Sequence, residues 1–391
     1  MQVREETTPV VMTIDKARTF ITRLLMFGVP LFALYNMDHP WSPLRENSFF
    51  VILILAIVFI NPKRHPGSPL WLVFDSANLL IAVGVFGWVF LQWQTYLIRL
   101  GAPTTTDIVL GALAVYVTLV ATLRELGKPL FVVVLLFLLY VFFGQHLPHY
   151  LGGHSGYSLN RIFSFVFLGA EGMLGYILGI MLKYMVLFLL LGKVLQFTGA
   201  LDFIMDLARV IFRKGTSGPP LMAVLSSGMV GSIIGSGTAN VYVTGNVTIP
   251  LMKRVGVKPE LAGGIEAAAS TGSQIMPPVM GFTAFFMMAL LGVAYFEIVV
   301  AAFVPAVLFF LAVGVAVFIR TRNIKVTSGE TWQTTLRWRD VIFRVSTVTF
   351  LGTLTILVTL LSLRYSLQLS ALYAMAFAFG SSLLGRDRVI P

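Results

Sequence analysis

The sequence predicts an all-α polytopic membrane protein of about ten transmembrane helices, with one re-entrant helical hairpin and one discontinuous helix among them. Three observations carry this. The 391 residues are 57% hydrophobic and only 12% charged, with a mean hydropathy of +0.87. Apolar segments of about 16 to 26 residues recur along the chain, the length a helix needs to cross a hydrocarbon core of roughly 30 Å. Two stretches, 219–251 and 259–291, are interrupted by Gly, Ser and Pro where lipid would otherwise surround the backbone. Backbone that leaves a helix at that depth is tolerated only where protein buries it or it lines a cavity.

The elements follow in order. The first ten residues, MQVREETTPV, are polar and carry Glu5 and Glu6, so they do not read as a cleavable signal. Spans are predicted at 20–36, 47–62, 70–91, 107–123, 129–144 and 173–198. Residues 159–170, LNRIFSFVFLGA, read as a short interfacial helix. The hairpin opens at Pro219-Pro220, turns through GSIIGSGTAN (Gly231 to Asn240) and ends at Lys253-Arg254. Each of its apolar runs is about 11 residues, roughly 16 Å as helix, which is half a crossing. In the broken helix, PELAGGIEAAAS (Pro259 to Ser270) runs into TGSQIMPP, and a new helix is expected near Pro278, since proline suits a first turn. Spans at 297–319, 340–363 and 368–384 complete the series. A boundary is expected near Gly127–Lys128. It separates four spans with little intramembrane polarity (Asp75, Ser76 and Asn78 excepted) from residues 128–391, which hold both breaks.

The net charge of +11 fits a nucleic-acid partner or a membrane topology, and its distribution selects the second. With the N-terminus cytoplasmic, the inner loops hold Arg4, Lys16, Arg18, Arg23, Lys63, Arg64, Arg124, Lys128, Arg209, Arg213 and Lys214. They also hold Lys253, Arg254, Lys258, Arg320, Arg322, Lys325, Arg337, Arg339, Arg386 and Arg388. The outer loops hold Arg45, Arg99, Arg161 and Arg364, while Lys183, Lys193 and Arg344 lie within segments. This sorting survives only if 219–251 returns to the side it came from. Five tryptophans (Trp41, Trp71, Trp93, Trp332, Trp338) sit near segment ends, as an aromatic belt requires. The chain has no cysteine, which excludes disulfides and thiol chemistry.

A helix terminus exposes unpaired N–H groups at its start and C=O groups at its end, with partial charge to match. The hairpin tip is expected to offer carbonyls near Gly231–Ser232 and N–H groups near Thr238–Asn240. The second break is expected to offer carbonyls around Ser270–Gly272 and N–H groups beyond Pro278. Carbonyls, with the oxygens of Ser232, Ser236, Asn240, Thr271, Gly272 and Ser273, suit a hard, weakly hydrated cation such as Na+. The N-terminal ends, with Gly235, Gly237, Thr238, Asn240, Gln274, Pro277 and Pro278, suit a substrate carboxylate. Gly235 and Gly237 let the backbone approach a ligand closely. The same glycines also serve tight helix packing, because Gly231-x-x-x-Gly235 is a small-xxx-small contact. Lys183 reads as a snorkelling or interhelical lysine, and Lys193 as snorkelling. Glu266 reads either as a proton or cation partner or as a structural carboxyl. His146, His149 and His154 share one outer loop, but their spacing fits no recognised metal site.

The run GSIIGSGTANVYVTGNVTIPLMKRVGVKPELAGGIEAAASTGSQIMPPVMG, with FTGALDF (Phe197 to Phe203) upstream, resembles the large-subunit signature of tripartite ATP-independent periplasmic (TRAP) transporters. It is most similar to the fused type, in which a four-helix small subunit precedes the large one and a TAXI-type binding protein delivers the solute. Ile234 stands where that family commonly has serine. The resemblance is dense over about 129–320, and the four spans at 20–123 agree in number with a fused small subunit. It implies Na+-driven uptake of small carboxylates through a bacterial or archaeal inner membrane, by an elevator movement of the hairpin domain. It implies a periplasmic solute-binding protein as partner and no organic cofactor. The family carries a second hairpin, and none follows residue 297 here. The sequence is therefore expected either to be a fragment or to take the other half of the large-subunit domain from another polypeptide, with 128–391 as the first inverted repeat. Two further classes remain beside a carrier. A channel also uses helix ends around a pore, although the charge rings of a filter are missing. A membrane enzyme finds no HExxH, clustered carboxylates or Ser–His pair in these spans.

Overall fold

The computed structural model describes residues 9–62, 69–99, 102–213, 215–324 and 336–384. These are mostly helical, with no strand among them, and the protein is an all-α polytopic membrane protein. Eight helices among the described residues are long and apolar enough to cross a membrane. The chain divides into two compact units, residues 1–183 and 184–391.

The first unit holds α1 (Pro9–Asp38), α2 (Pro43–Ile60), α3 (Pro69–Leu91), α4 (Trp93–Ile98) and α5 (Thr105–Glu125). It continues with α6 (Lys128–Phe143), α7 (Leu159–Leu168) and α8 (Tyr176–Ile180). Its core interleaves Phe59 of α2, Phe86 of α3, Val117 of α5 and Phe167 of α7. At one end, Asp75 sits between Arg18, at 3.0 Å, and Arg124. Both guanidiniums donate onward to carbonyls at the end of α2: Arg18 to Phe59 O and Ile60 O, Arg124 to Asn61 O. The last carbonyls of a helix lack intrahelical partners and carry partial negative charge, so cations belong there.

The first unit runs on to residue 183, and α2 supplies the reason. Asn47 Nδ2 donates to Leu174 O (2.8 Å) and Gly175 O (3.0 Å), and Lys183 Nζ lies 3.4 Å from the Glu46 carboxylate, which is fully buried. These contacts hold α8 against α2. Lys183 is thus an interhelical lysine. It sits in a π-helical turn, Met181–Met185, that joins α8 to α9 (Val186–Phe197).

The second unit runs from the end of that turn through α9, α10 (Ala200–Ile211), α11 (Gly218–Ile234), α12 (Gly237–Arg254) and α13 (Pro259–Gly272). Then come α14 (Phe282–Leu291), α15 (Tyr295–Thr321), α16 (Trp338–Ile342), α17 (Val345–Ser362) and α18 (Leu367–Ser382). Several expectations are corrected. The arms of the hairpin, α11 and α12, have 17 and 18 residues, not half-length runs, because residues 231–234 and 237–240, expected in the turn, are themselves helical. The second part of the broken helix starts at Phe282, after the N-cap Gly281, and Pro277-Pro278 lie in the connection, with a cis peptide bond. Arg344 is not inside a span: it precedes α17 and pairs with Asp206 of α10 at 2.6 Å. The amphipathic α10 itself is additional to the predicted elements.

Thr321 Oγ1, at the end of α15, donates to Ser217 Oγ at the start of α11 (3.0 Å). Beside it, Val224, Met252, Val255, Val257, Ala262 and Val317 form one buried cluster. The start of α11, the end of α12, the start of α13 and the end of α15 therefore share one end of the unit. Arg213, Lys253, Arg254, Lys258, Arg320 and Arg322 sit at that end, as the charge sorting requires. Arg4, Lys63, Arg64, Lys214, Lys325, Arg386, Arg388 and Trp332 lie outside the described residues. A test of the hairpin follows. Cysteines introduced singly at Thr216 and Lys253 of this cysteine-free chain are expected to react with an impermeant maleimide from the same side of the membrane. Labelling from opposite sides would rule the hairpin out.

Candidate functional site

Two helix breaks meet face to face in the second unit. α11 ends where Gly235 adopts the left-handed conformation (φ 62°), its N–H donating to Gly231 O at 3.1 Å. Any side chain at Gly235 would be strained by that φ and would run into Met280 O. Ser236 then caps α12, its Oγ accepting from Ala239 N. Opposite, α13 ends in a 3-10 turn, Ser273–Ile275, and an extended link leads to α14. Val279 N donates to Ser232 O (3.3 Å), and Gly281 N donates to Gln274 O (2.8 Å). A methyl group at Gly237 would lie 3.1 Å from both Gln274 Nε2 and Ser270 O. One at Gly231 would lie 2.6 Å from Ser273 Cα. The glycines are what let the tip touch the break.

Most residues expected at the site are thus in one place: Ser232, Gly235, Ser236, Gly237 and Thr238 from the tip, and Thr271, Ser273, Gln274, Pro277 and Pro278 from the break. Three of their hydroxyls have a common orientation. Ser232 Oγ donates to Met229 O (2.6 Å), Thr271 Oγ1 to Ala267 O (2.7 Å) and Ser273 Oγ to Ser270 O (2.6 Å). Each proton is committed to a helix carbonyl, so only lone pairs remain to be offered. Thr238 and Gln274 are exposed.

Two expected members point elsewhere. Asn240 is fully buried, and its Nδ2 donates to Ser227 O at 2.8 Å, so its amide ties the two hairpin arms together. Gly272 faces away from the tip, against the rings of Phe309 and Phe310 of α15, where a side chain would collide. The break is also held by Tyr295, whose hydroxyl donates to Pro278 O (3.0 Å) while receiving Met280 N (3.4 Å). An aromatic hydroxyl at the start of a long apolar helix was the available sequence signal for it.

Below the tip lies a cluster that the sequence named only in part. Glu266 of α13 is 0% exposed. Its carboxyl oxygens meet the hydroxyls of Ser227 (3.1 Å) on α11, Thr244 and Thr248 (2.5 Å) on α12, and Ser270 (3.1 Å) one turn on. Residues from three helices build it, and only the i, i+4 pairs Thr244/Thr248 and Glu266/Ser270 announce it in sequence. His154 uses Nδ1 to accept Gly156 N, and no group of three or more His, Cys, Asp or Glu side chains able to hold a metal occurs among the described residues.

A search of curated proteins found no match. The family model described as tripartite ATP-independent periplasmic transporter, DctM component, matches residues 113–387. That span takes in the hairpin, the broken helix and most of the chain, and begins within α5. The chain belongs to the DctM family, the large membrane component of tripartite ATP-independent periplasmic transporters.

Proposed function

We propose that this chain is the permease subunit of a secondary active, Na+-coupled transporter that takes up small carboxylates delivered by a TAXI-type periplasmic binding protein. Family membership makes it a transport component of a membrane with a periplasmic binding protein as partner. The observation that carries the finer reading is the meeting of the Gly235–Gly237 tip with the Ser273–Gly281 link. Hydroxyls that have given their protons to helix carbonyls suit a cation. The starts of α12 and α14 suit a carboxylate. The hairpin is re-entrant, with both ends cytoplasmic as the N-terminus is, in a bacterial or archaeal inner membrane. α11 to α14 move together as the elevator body, because Glu266 and its hydroxyls lock three of these helices into one piece. α1, α2, α3 and α5 correspond to a fused small subunit.

Counterflow separates a carrier from a channel. The transporter is reconstituted with its periplasmic binding protein. Labelled carboxylate is expected to accumulate transiently against unlabelled internal solute, and only with Na+ present. Simple equilibration without overshoot would indicate a channel. Within that assay, Thr271→Ala and Ser273→Ala are each expected to raise the Na+ needed for half-maximal uptake about tenfold, equivalent to about 1.4 kcal/mol for one lost ligand. Unchanged Na+ dependence in both, with normal protein levels, would remove these residues from the cation site.

A further inference from the structure

We propose that Glu266 is a proton-carrying site: it takes up one proton as solute enters the hairpin body and releases it with the solute on the other side of the membrane. The inference rests on the carrier reading above. Glu266 is fully buried eight residues into α13, and no ion pair includes it among the described residues. A carboxylate so placed needs a positive charge, and an ionisable group inside a membrane helix is functional by default. What surrounds it decides which charge. Ser227, Thr244, Thr248 and Ser270 all meet its oxygens at direct hydrogen-bonding distance, two of them at 3.1 Å and Thr248 at 2.5 Å. A proton fits on these contacts as they stand, without moving the oxygens. Hydroxyls also serve both states, since they donate to a carboxylate and, after rotating, accept from a carboxylic acid. In the acid form Glu266 donates to Thr244, which passes its own proton to Asn240 O at 2.9 Å.

The charged or titratable groups on the packed helices lie apart from this cluster. α11 has none, α12 has exposed Tyr242 and terminal Lys253 and Arg254, α13 has Glu260 in its first turn, and α15 has Tyr295, Glu297 and Arg320 towards its ends. The site is coupled to the breaks by construction. Glu266 bridges both hairpin arms, and Ser270 O accepts the hydroxyl of Ser273 at the break (2.6 Å). Gaining or losing one proton therefore changes how the arms are held to α13.

The test uses the reconstituted transporter with a pH dye in the lumen, alongside infrared spectra of the purified chain. Na+-driven uptake of labelled carboxylate is expected to acidify the lumen in the wild type and not in Glu266→Gln, which keeps the side-chain volume and hydrogen bonding. In the infrared, a protonated-carboxyl C=O band is expected to come and go with pH. It should be absent from Glu266→Gln and displaced in Glu266→Asp, which covers the case in which the Gln variant fails to fold. Uptake without acidification by the wild type would overturn the proposal and leave the carrier reading standing. Should no solute be taken up at all, the carrier reading fails, and the infrared band alone decides the proton site. A band that ignores pH, or that persists in Glu266→Gln, would overturn it.

Discussion

Replacing Gly231 with leucine is expected to abolish transport while leaving the helices in the membrane. A Cβ at this position would stand 2.6 Å from Ser273 Cα, and its neighbours are the backbone of the 3-10 turn that ends α13. Backbone cannot swing aside as the end of a long side chain can. The hairpin tip must then lift off the break, and the hydrogen bond from Val279 N to Ser232 O is lost. Gly231→Ala is the milder form. Overpacking of this kind costs about 1–3 kcal/mol, which corresponds to a fall of roughly 10- to 100-fold in uptake rate if the apposed state is the one that binds solute. Gly314 of α15 provides the control, since nothing lies within 4 Å of a methyl group there. Gly314→Ala is expected to transport as the wild type does. Initial uptake per amount of membrane-inserted protein is the measurement, and equal rates for the two alanine variants would contradict the apposition.

The largest loss of stability is expected from Asp75→Ala. Asp75 is 3% exposed and balances two guanidiniums, of which Arg124 is itself buried. Removing one partner of a buried ion pair strands the other charge, at a cost of about 3–5 kcal/mol. Here the carbonyls of Phe59, Ile60 and Asn61 continue to receive the guanidiniums, which places the loss toward the lower end of that range. The exposed pair Glu297–Arg364 (3.7 Å) is the opposite case, and Glu297→Ala is expected to leave thermal stability unchanged. Melting of the purified chain in detergent, followed by the loss of a monodisperse peak, compares them. An Asp75→Ala variant that melts with the wild type would show that the triad is not holding the first unit together.

Much of this architecture was legible because membranes restrict the choices. Long apolar runs have to be helices, and a dense cluster of Gly, Ser and Pro inside them is where a break is to be sought. So the tip at Gly231–Asn240 and the break at Thr271–Pro278 were readable, and the structure brings them together. Lengths were harder. The stretch GSIIGSGTAN read as the turn, but its first four and last four residues are helical, and only Gly235 and Ser236 separate α11 from α12. Pro278 looked like a first turn, but its carbonyl is held by Tyr295 and the helix waits until Gly281 can cap it. Asn240 looked like a ligand because it stands at a helix start, and burial turned it inward to Ser227. The Glu266 cluster was invisible as a cluster, since its members come from three helices and no spacing in one segment assembles them.

The central claim is that the tip of the hairpin and the break of α13–α14 are two walls of one solute site. Thr238 and Gln274 are exposed side chains on those walls, and the chain has no other thiol. Single cysteines at Thr238 and at Gln274 are to be labelled with a small water-soluble maleimide, in NaCl or choline chloride, with and without a panel of small mono- and dicarboxylates. The account predicts that Na+ together with a transported carboxylate slows labelling at both positions. It also predicts no slowing at a cysteine replacing exposed Tyr242 on the flank of α12. Labelling of Thr238 and Gln274 that proceeds at the same rate under every condition, in a preparation that transports, would contradict it.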